Sequence, residues 1–252
     1  MVNTWIQSLT RVKQTKHLTL RHQPGHMYHG GCIEFPPNSF TYPRLTSLSL
    51  HGYVLRTSHS FNNCQNLKTL KLSCILASDL GVFNSVLASC PSLEVLVLDI
   101  SCFKESGPLK IDNKRLKLLQ VLETKKIDGI QVSSTRLDSL AIGRLSCGKD
   151  DFVLREEGES PRNKFLEENN KDHPFPNAKF RVETVWMHHF SGSEEEFALA
   201  SCLIRQGTVI KRMMIKSTSF PARKKLEIET AVAKLQALIR KKEQWQLAIK
   251  CF

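Results

Sequence analysis

The sequence has no long apolar run. Its longest hydrophobic stretches are strand-sized, such as Leu93 to Ile100, far short of the roughly 20 residues a membrane-spanning helix needs. Met1 to Thr10 carries Trp5, Ile6 and Leu9 at helical spacing but has no basic and apolar regions of a secretory signal. Paired cysteines are missing too. The eight cysteines are scattered, with no CxxC and no short scaffold spacing, so buried free thiols in a reducing compartment, cytoplasm or nucleus, are the expectation. No GxSxG turn occurs, and Gly143 and Gly148 fit neither GxGxxG nor the phosphate-binding P-loop. No Cys/His arrangement has a spacing that suits nucleophilic catalysis. These gaps argue against an enzyme and against a cofactor. Acidic residues are also in short supply: 24 Asp plus Glu against 36 Lys plus Arg leave a net charge of +12. Such a balance favours acidic partners, nucleic acid included, and says nothing about fold.

What the sequence does contain is a repeat. The pattern LxxLxL stands at Leu45-Leu48-Leu50, Leu67-Leu70-Leu72 and Leu93-Leu96-Leu98, and degenerately at Leu116-Leu119-Val121 and Leu137-Leu140-Ile142. Weaker copies follow at Val182-Val185-Met187 and Ile210-Met213-Ile215. The first five start 22, 26, 23 and 21 residues apart, within the roughly 20–29 of leucine-rich arrays. In a strand, alternate side chains share a face, so Leu48 and Leu50 point the same way, and Leu45 reaches the same core from the turn before. One strand cannot bury three leucines alone. Stacked copies make a parallel sheet over a continuous core, which is an α/β leucine-rich-repeat solenoid with helical or irregular returns.

One return has a clear helical signal. Phe83, Val86, Leu87 and Cys90 fall at i, i+3, i+4 and i+7, with Ser78 as N-cap and Pro91 as the stop. Arg56 to Asn66 reads as a short helical or irregular turn. Cys64 and Cys90 each stand three residues before a repeat's first leucine, as small buried packing residues.

The repeats occupy residues 1–148. Residues 149–180, rich in Glu, Asn, Lys and Pro, offer few apolar groups to offset ordering entropy and read as a flexible linker. Residues 181–252 read as a compact αβ unit that extends and caps the sheet. It has strand Arg181–His188, a helix opened by a Ser193/Glu196 capping box, and strand Ile210–Lys216. A second helix with Ile228, Val232, Leu235 and Ile239 on one stripe leads to a last strand, Trp245–Phe252.

Metal chemistry has one candidate, His22, His26, His29 and Cys32, but Pro24-Gly25 and Gly30-Gly31 make that stretch a loop with no preset ligand geometry. His188 and His189 point to opposite faces of a strand. No metal is expected. Nucleic acid, or another acidic partner, is the alternative ligand class, through Arg205, Lys211, Arg212, Lys216 and Arg223 to Lys225. No recognised module accompanies them, and aromatic residues for base stacking make up only 8% of the chain.

The stronger candidate is the concave face, formed by strand positions between and after the leucines. There Val95, Val97, Leu118 and Leu122 make an apolar patch where solvation favours polar residues, and Asp99 and Gln120 lie among them. Trp186 and Met214 continue the surface toward the C-terminus. An unknown target protein is the expected partner.

The Trp5-Ile6 opening, the His17-Leu18-Thr19-Leu20 strand, and the Asn-Cys-Gln-Asn-Leu and Ser-Cys-Pro-Ser-Leu junctions carry a resemblance across nearly the whole chain. So does Glu194–Lys216, with Val209-Ile210-Lys211-Arg212-Met213-Met214-Ile215. The chain resembles plant F-box proteins with leucine-rich repeats and a C-terminal FBD domain. That resemblance implies the substrate-holding part of an SCF-type ubiquitin ligase. In the family an F-box docks a Skp-type adaptor; no F-box is recognisable before Trp5, which leaves that adaptor doubtful as a partner.

Overall fold

In the computed structural model the described residues are 2–22, 33–36, 40, 44–62, 64–127, 129–132, 136–146, 153–156, 181–205, 207–217, 222–240 and 247–252. Helix α1 (Val2–Gln7) and a further helical turn (Ser8–Val12) lead into β1 (His17–Arg21). Then come β2 (Ile33–Glu34), β3 (Ser47–His51), β4 (Tyr53–Leu55), β5 (Thr69–Ala77), α2 (Leu80–Ala88) and β6 (Val95–Ser106). The middle of the chain supplies β7 (Leu109–Ile111), β8 (Leu118–Ile127), β9 (Gly129–Val132), β10 (Arg136–Ser146) and β11 (Val153–Glu156). The C-terminal part adds β12 (Arg181–His188), α3 (Glu194–Arg205), β13 (Val209–Lys216), α4 (Ala222–Arg240) and β14 (Ala248–Cys251).

Six of the seven triplets become rungs as spaced; in the last, Ile210 is 47% exposed, and Val209, paired with Val182 next to a register shift, takes the buried position instead. The main sheet runs β1-β3-β5-β6-β8-β10-β12-β13-β14, every pair parallel, with β4 beside β5 and β2 beside β4. The repeats stay in step: Ser47 pairs with Thr69, Thr69 with Val95, and Val95 with Leu118. None of the twelve leucine-pattern side chains of the four repeats from Leu45 to Val121 is more than 3% exposed. Those side chains would each lose about 1.5–3 kcal/mol of transfer free energy if left in water, which explains why the triplets stack.

A turn locks the stack at the N-terminal end of the strands. The carbonyl of Lys16 accepts from the backbone N–H of both Thr46 and Ser47, at 2.8 and 2.9 Å. The same fork recurs at Thr46, Lys68, Glu94 and Lys117, each carbonyl serving the next repeat. No sequence signal marks this fork, because any residue supplies it.

The returns differ from the expectation in kind. Helix α2 forms, with Phe83, Val86, Leu87 and Cys90 all buried, but Asp79 rather than Ser78 takes the N-cap position, in extended backbone. Ser78 donates its hydroxyl hydrogen bond to the Asp79 carboxylate at 3.2 Å. The return after β4 is a short helical turn, His59–Phe61. The later returns are strands: β7, β9 and β11 form a second parallel sheet. Leu109, Ile111, Ile130 and Val132 alternate inward from it. Segments that short bury an apolar pair better as strands than as a single helical turn. Strand β11 lies inside the stretch whose composition reads as linker; the rest of 149–180 lies outside the described residues.

At the C-terminal end β12 pairs directly with β10, so the sheet continues without a break. The Ser193/Glu196 capping box is present, with both reciprocal hydrogen bonds at 3.3 Å, and the Glu196 carboxylate also accepts from the Ser191 N–H and hydroxyl. Ile228, Val232 and Leu235 of α4 are buried and Ile239 half-buried. Cys64 and Cys90 are buried. Hydrogen bonding with the Cys64 thiol, and then burial, push the Cys90 thiol far above its usual range, so it stays protonated and inert.

Candidate functional site on the concave face

The open face of the sheet is built in rows that cross the strands. One row carries Thr69, Val95, Leu118, Ser139, Thr184 and Arg212. The next carries Lys71, Val97, Gln120, Ala141, Trp186, Met214 and Lys250. Neighbouring strands stand about 4.8 Å apart, so side chains within a row shade one another. Val97 is only 8% exposed and Ala141 7%, while Val95, Leu118, Gln120, Leu122, Trp186 and Met214 are half-buried.

The structure separates the candidate residues into two groups. Val95, Val97, Leu118, Gln120, Trp186 and Met214 share the two adjacent rows. Asp99 does other work. Its carboxylate accepts from the Cys74 backbone N–H at 3.1 Å and from the Cys74 thiol at 3.4 Å. Cys74 has a φ of 52° and sits where β5 carries an extra residue between Leu72 and Ile75. Asp99 therefore holds a bulge in place. Burial first, and then the Asp99 contact, push the Cys74 thiol above its usual range.

Leu122 also stands at an irregularity. Leu98 pairs with Val121 and Asp99 with Glu123, which leaves Leu122 as the extra residue of β8. Beside it is Gly143. A Cβ there would sit 2.3 Å from the Leu122 carbonyl oxygen, so the close approach of β8 and β10 requires glycine.

Ala141 and Gly143 were not singled out from sequence, although the triplet Leu137-Leu140-Ile142 places Ser139, Ala141 and Gly143 on the open face by alternation alone. Their small side chains make a low floor between Leu118, Gln120 and Leu122 on one side and Trp186 on the other. The Trp186 and His188 rings stack, centroids 6.1 Å apart and planes 15° apart. Burial, then the Lys216 ammonium and His189, hold His188 below its ordinary value. Cations flank this centre: Arg21 and Lys71 toward β1, Arg212, Lys216 and Lys250 toward β14. Glu123 is ion-paired with Lys125 at 2.9 Å.

Among the described residues the other candidates do not assemble into a site. Residues 23–32 lie outside the described residues, with His26, His29 and Cys32; His22 lies 6.0 Å from the Tyr53 ring, centroid to centroid. Among the described residues no group of three or more His, Cys, Asp or Glu could hold a metal. The basic residues of the nucleic-acid reading are divided. Arg212 and Lys216 face the concave side, Lys211 is paired with Glu183 at 3.0 Å, and Lys224 and Lys225 are exposed on α4, which packs against the opposite face through Ile228 and Leu235. No helix among the described residues is long and apolar enough to cross a membrane.

Comparison with known proteins agrees with this geometry. A family model described as "FBD-associated F-box protein At5g56370, LRR repeats" matches residues 2–155, the span from α1 through β11. The F-box protein At1g80960 of Arabidopsis thaliana is 44% identical over 354 aligned residues, covering all of this chain and 71% of the relative. Two more Arabidopsis thaliana proteins, the putative F-box protein At1g67390 and the F-box protein At3g60790, are 33% and 32% identical. They too align with the whole chain, over 72% and 70% of their own lengths. The 354 aligned positions exceed the 252 residues of this chain by 102, so the relative carries that many positions within the matched span for which this chain has no counterpart. With the repeat register, the parallel sheet and these matches in agreement, the chain belongs to the FBD-associated F-box protein family with leucine-rich repeats.

Proposed function

We propose that the chain is a non-catalytic protein-recognition module that holds a target protein on its concave face, in the setting of a ubiquitin ligase. One observation carries the reading: the open face has an apolar centre, Val97, Leu118, Ala141, Trp186 and Met214, where a solvated sheet face would carry polar side chains. A hydrophobic centre with a polar rim is where binding energy concentrates, aromatic residues above all. The burial of Val97 and Ala141 and the half-burial of Leu118, Trp186 and Met214 support the reading further, because shaded, pre-ordered side chains lose little entropy on binding. The F-box names of the relatives support the ligase setting. The compartment that goes with this reading is cytoplasm or nucleus, where the thiols remain reduced.

The test is affinity capture from plant extract with residues 1–252 as bait. A specific protein should be recovered and should be lost on the double change Val97→Asp with Leu118→Asp, whose melting curve shows whether the fold survives. Capture that is indifferent to the double change in a folded variant would refute the concave-face reading. Stoichiometric binding of a Skp-type adaptor by residues 1–252 would add a ligase contact that the proposal does not include. Nucleic acid recovered without any protein, eluting steeply with salt, would favour the basic-surface alternative.

A further inference from the structure

The forked turn before each strand creates a second surface. Two residues of every repeat project there: the one immediately before the strand and the one three before it, on either side of the buried first leucine. In register they form two ladders, Thr46-Lys68-Glu94 and Arg44-Asn66-Ser92-Arg115, the first extended by Lys16. A shallow cleft of about 520 Å³ lies between them, lined by these eight residues.

Its charge is uneven. Glu94, the single carboxylate in the lining, is bridged by Lys117 at 2.8 Å and Lys68 at 3.2 Å, and these contacts, Lys117 first, hold it below the usual carboxylate range. Lys16, Arg44 and Arg115 have no carboxylate partner among the described residues. The Arg44 guanidinium donates to the neutral Gln14 amide oxygen. The Arg115 backbone is anchored: its N–H donates to the buried Asn113 side chain at 3.0 Å, which itself donates to the Cys90 carbonyl. The two arginines stand three strand steps apart, about 15 Å. Between them the floor is Asn66 and Ser92, neutral and able to hydrogen-bond.

We infer that this cleft docks an acidic peptide segment of the partner protein, with carboxylates at its two ends seated on Arg44 and Arg115 and a neutral middle over Asn66 and Ser92. The inference rests on the reading of the chain as a protein-recognition module. Guanidinium groups take carboxylates in bidentate fashion, and about 15 Å is the span of four to five extended residues. A nucleic-acid strand, with a phosphate every few ångströms, would place negative charge over the neutral floor and against Glu94. The cleft also adjoins the apolar centre, since Glu94 and Lys117 directly precede Val95 and Leu118. One partner can therefore cover both.

The probe is a fluorescein-labelled peptide, Glu-Glu-Ser-Gly-Ser-Glu-Glu, titrated at low salt into the folded chain. Its Kd should rise at least tenfold on Arg44→Glu with Arg115→Glu, and less than twofold on Lys225→Glu with Lys234→Glu, which removes the same charge from α4. Should the rim pair fail to fold, Arg115→Gln, whose side chain is exposed and has no carboxylate partner among the described residues, serves in its place with a severalfold loss. The isomer with its four glutamates together in the middle should bind at least fivefold more weakly. Equal loss on both charge pairs, equal binding of the isomer, no peptide binding, or binding of oligouridine instead would each overturn the inference. Trp186→Ala should abolish partner capture and leave peptide binding unchanged, which separates failure of the cleft from failure of the concave face.

Discussion

Leu96 and Val97 are neighbours in β6 on opposite faces of the sheet, and together they test which side of the solenoid is core. Leu96 is fully buried, with Leu70 and Leu119 opposite it on the flanking strands. Val97, 8% exposed, lies between Lys71 and Gln120. Truncating Leu96 to alanine removes enclosed methyl groups and leaves a cavity, a loss of about 2.7–5 kcal/mol. Val97→Ala removes shaded but unenclosed methyls, about 1 kcal/mol. Aspartate widens the gap. At position 96 a carboxylate enters a core of leucines, and a cost beyond about 4–5 kcal/mol is expected. At position 97 it reaches solvent and the Lys71 ammonium on the next strand, so the cost stays near that of Val97→Ala. Urea denaturation at 25 °C, followed by circular dichroism and by tryptophan fluorescence, measures both. Equal m-values for the variants and the parent show that the midpoints report stability. A Val97→Asp protein less stable than Leu96→Asp would place the core on the wrong face and refute the register on which the surface depends.

Gly143→Ala is expected to cost more than about 2 kcal/mol, because the new Cβ meets the Leu122 backbone rather than a movable side chain; an unchanged melting point would show that β8 and β10 need no such approach. Thr124 has a buried hydroxyl without a hydrogen-bond partner among the described residues, so Thr124→Val should raise stability by about 1 kcal/mol, and a loss in the same urea titration would reveal a partner. His188 has its pKa lowered in the folded state. The stability linked to its neutral form is thus present above the ordinary imidazole value and is lost as pH falls through the lowered one. Lys216→Ala should move the NMR titration of His188 part of the way back up, since burial, the larger cause, remains.

Much of this was legible in the residues, for a physical reason. Leu48, Leu70, Leu96 and Leu119 each sit in the same pleat position, and period-two alternation plus a fixed repeat length dictates both the sheet and its buried face. The α3 capping box was legible because its reciprocal bonds need two residue types at one spacing. What escaped notice depended on contacts between repeats. Asp99 reads as a free acidic residue until the bulge at Cys74 is seen beside it. The β7 and β9 returns rest on pairs of alternating residues, Leu109 with Ile111 and Ile130 with Val132, too short to outweigh a helical or irregular alternative. The rim cleft combines side chains from the turns before five strands, none unusual in its own segment.

The length of the array bears on recognition as well. Each repeat of a solenoid touches only its neighbours, so whole repeats can be absent without disturbing the rest. The sheet here pairs in parallel at every step from β1 to β14. A target that spans both the Val97-Leu118 side and the Trp186-Met214 side of the apolar centre therefore reads a distance set by the number of rungs between them. Inserting a second copy of residues 116–136 before Leu137 would add one rung and move those two sides apart by about 4.8 Å. The melting curve should remain cooperative and the acidic peptide should bind as before, because Arg44 through Arg115 keep their neighbours. Partner capture should fall at least tenfold, since a side chain displaced by a full strand spacing no longer meets its contact. Undiminished capture by the lengthened chain would mean that the target touches one half of the face alone, and the row from Val97 through Gln120 and Ala141 to Met214 would lose its claim to act as a unit.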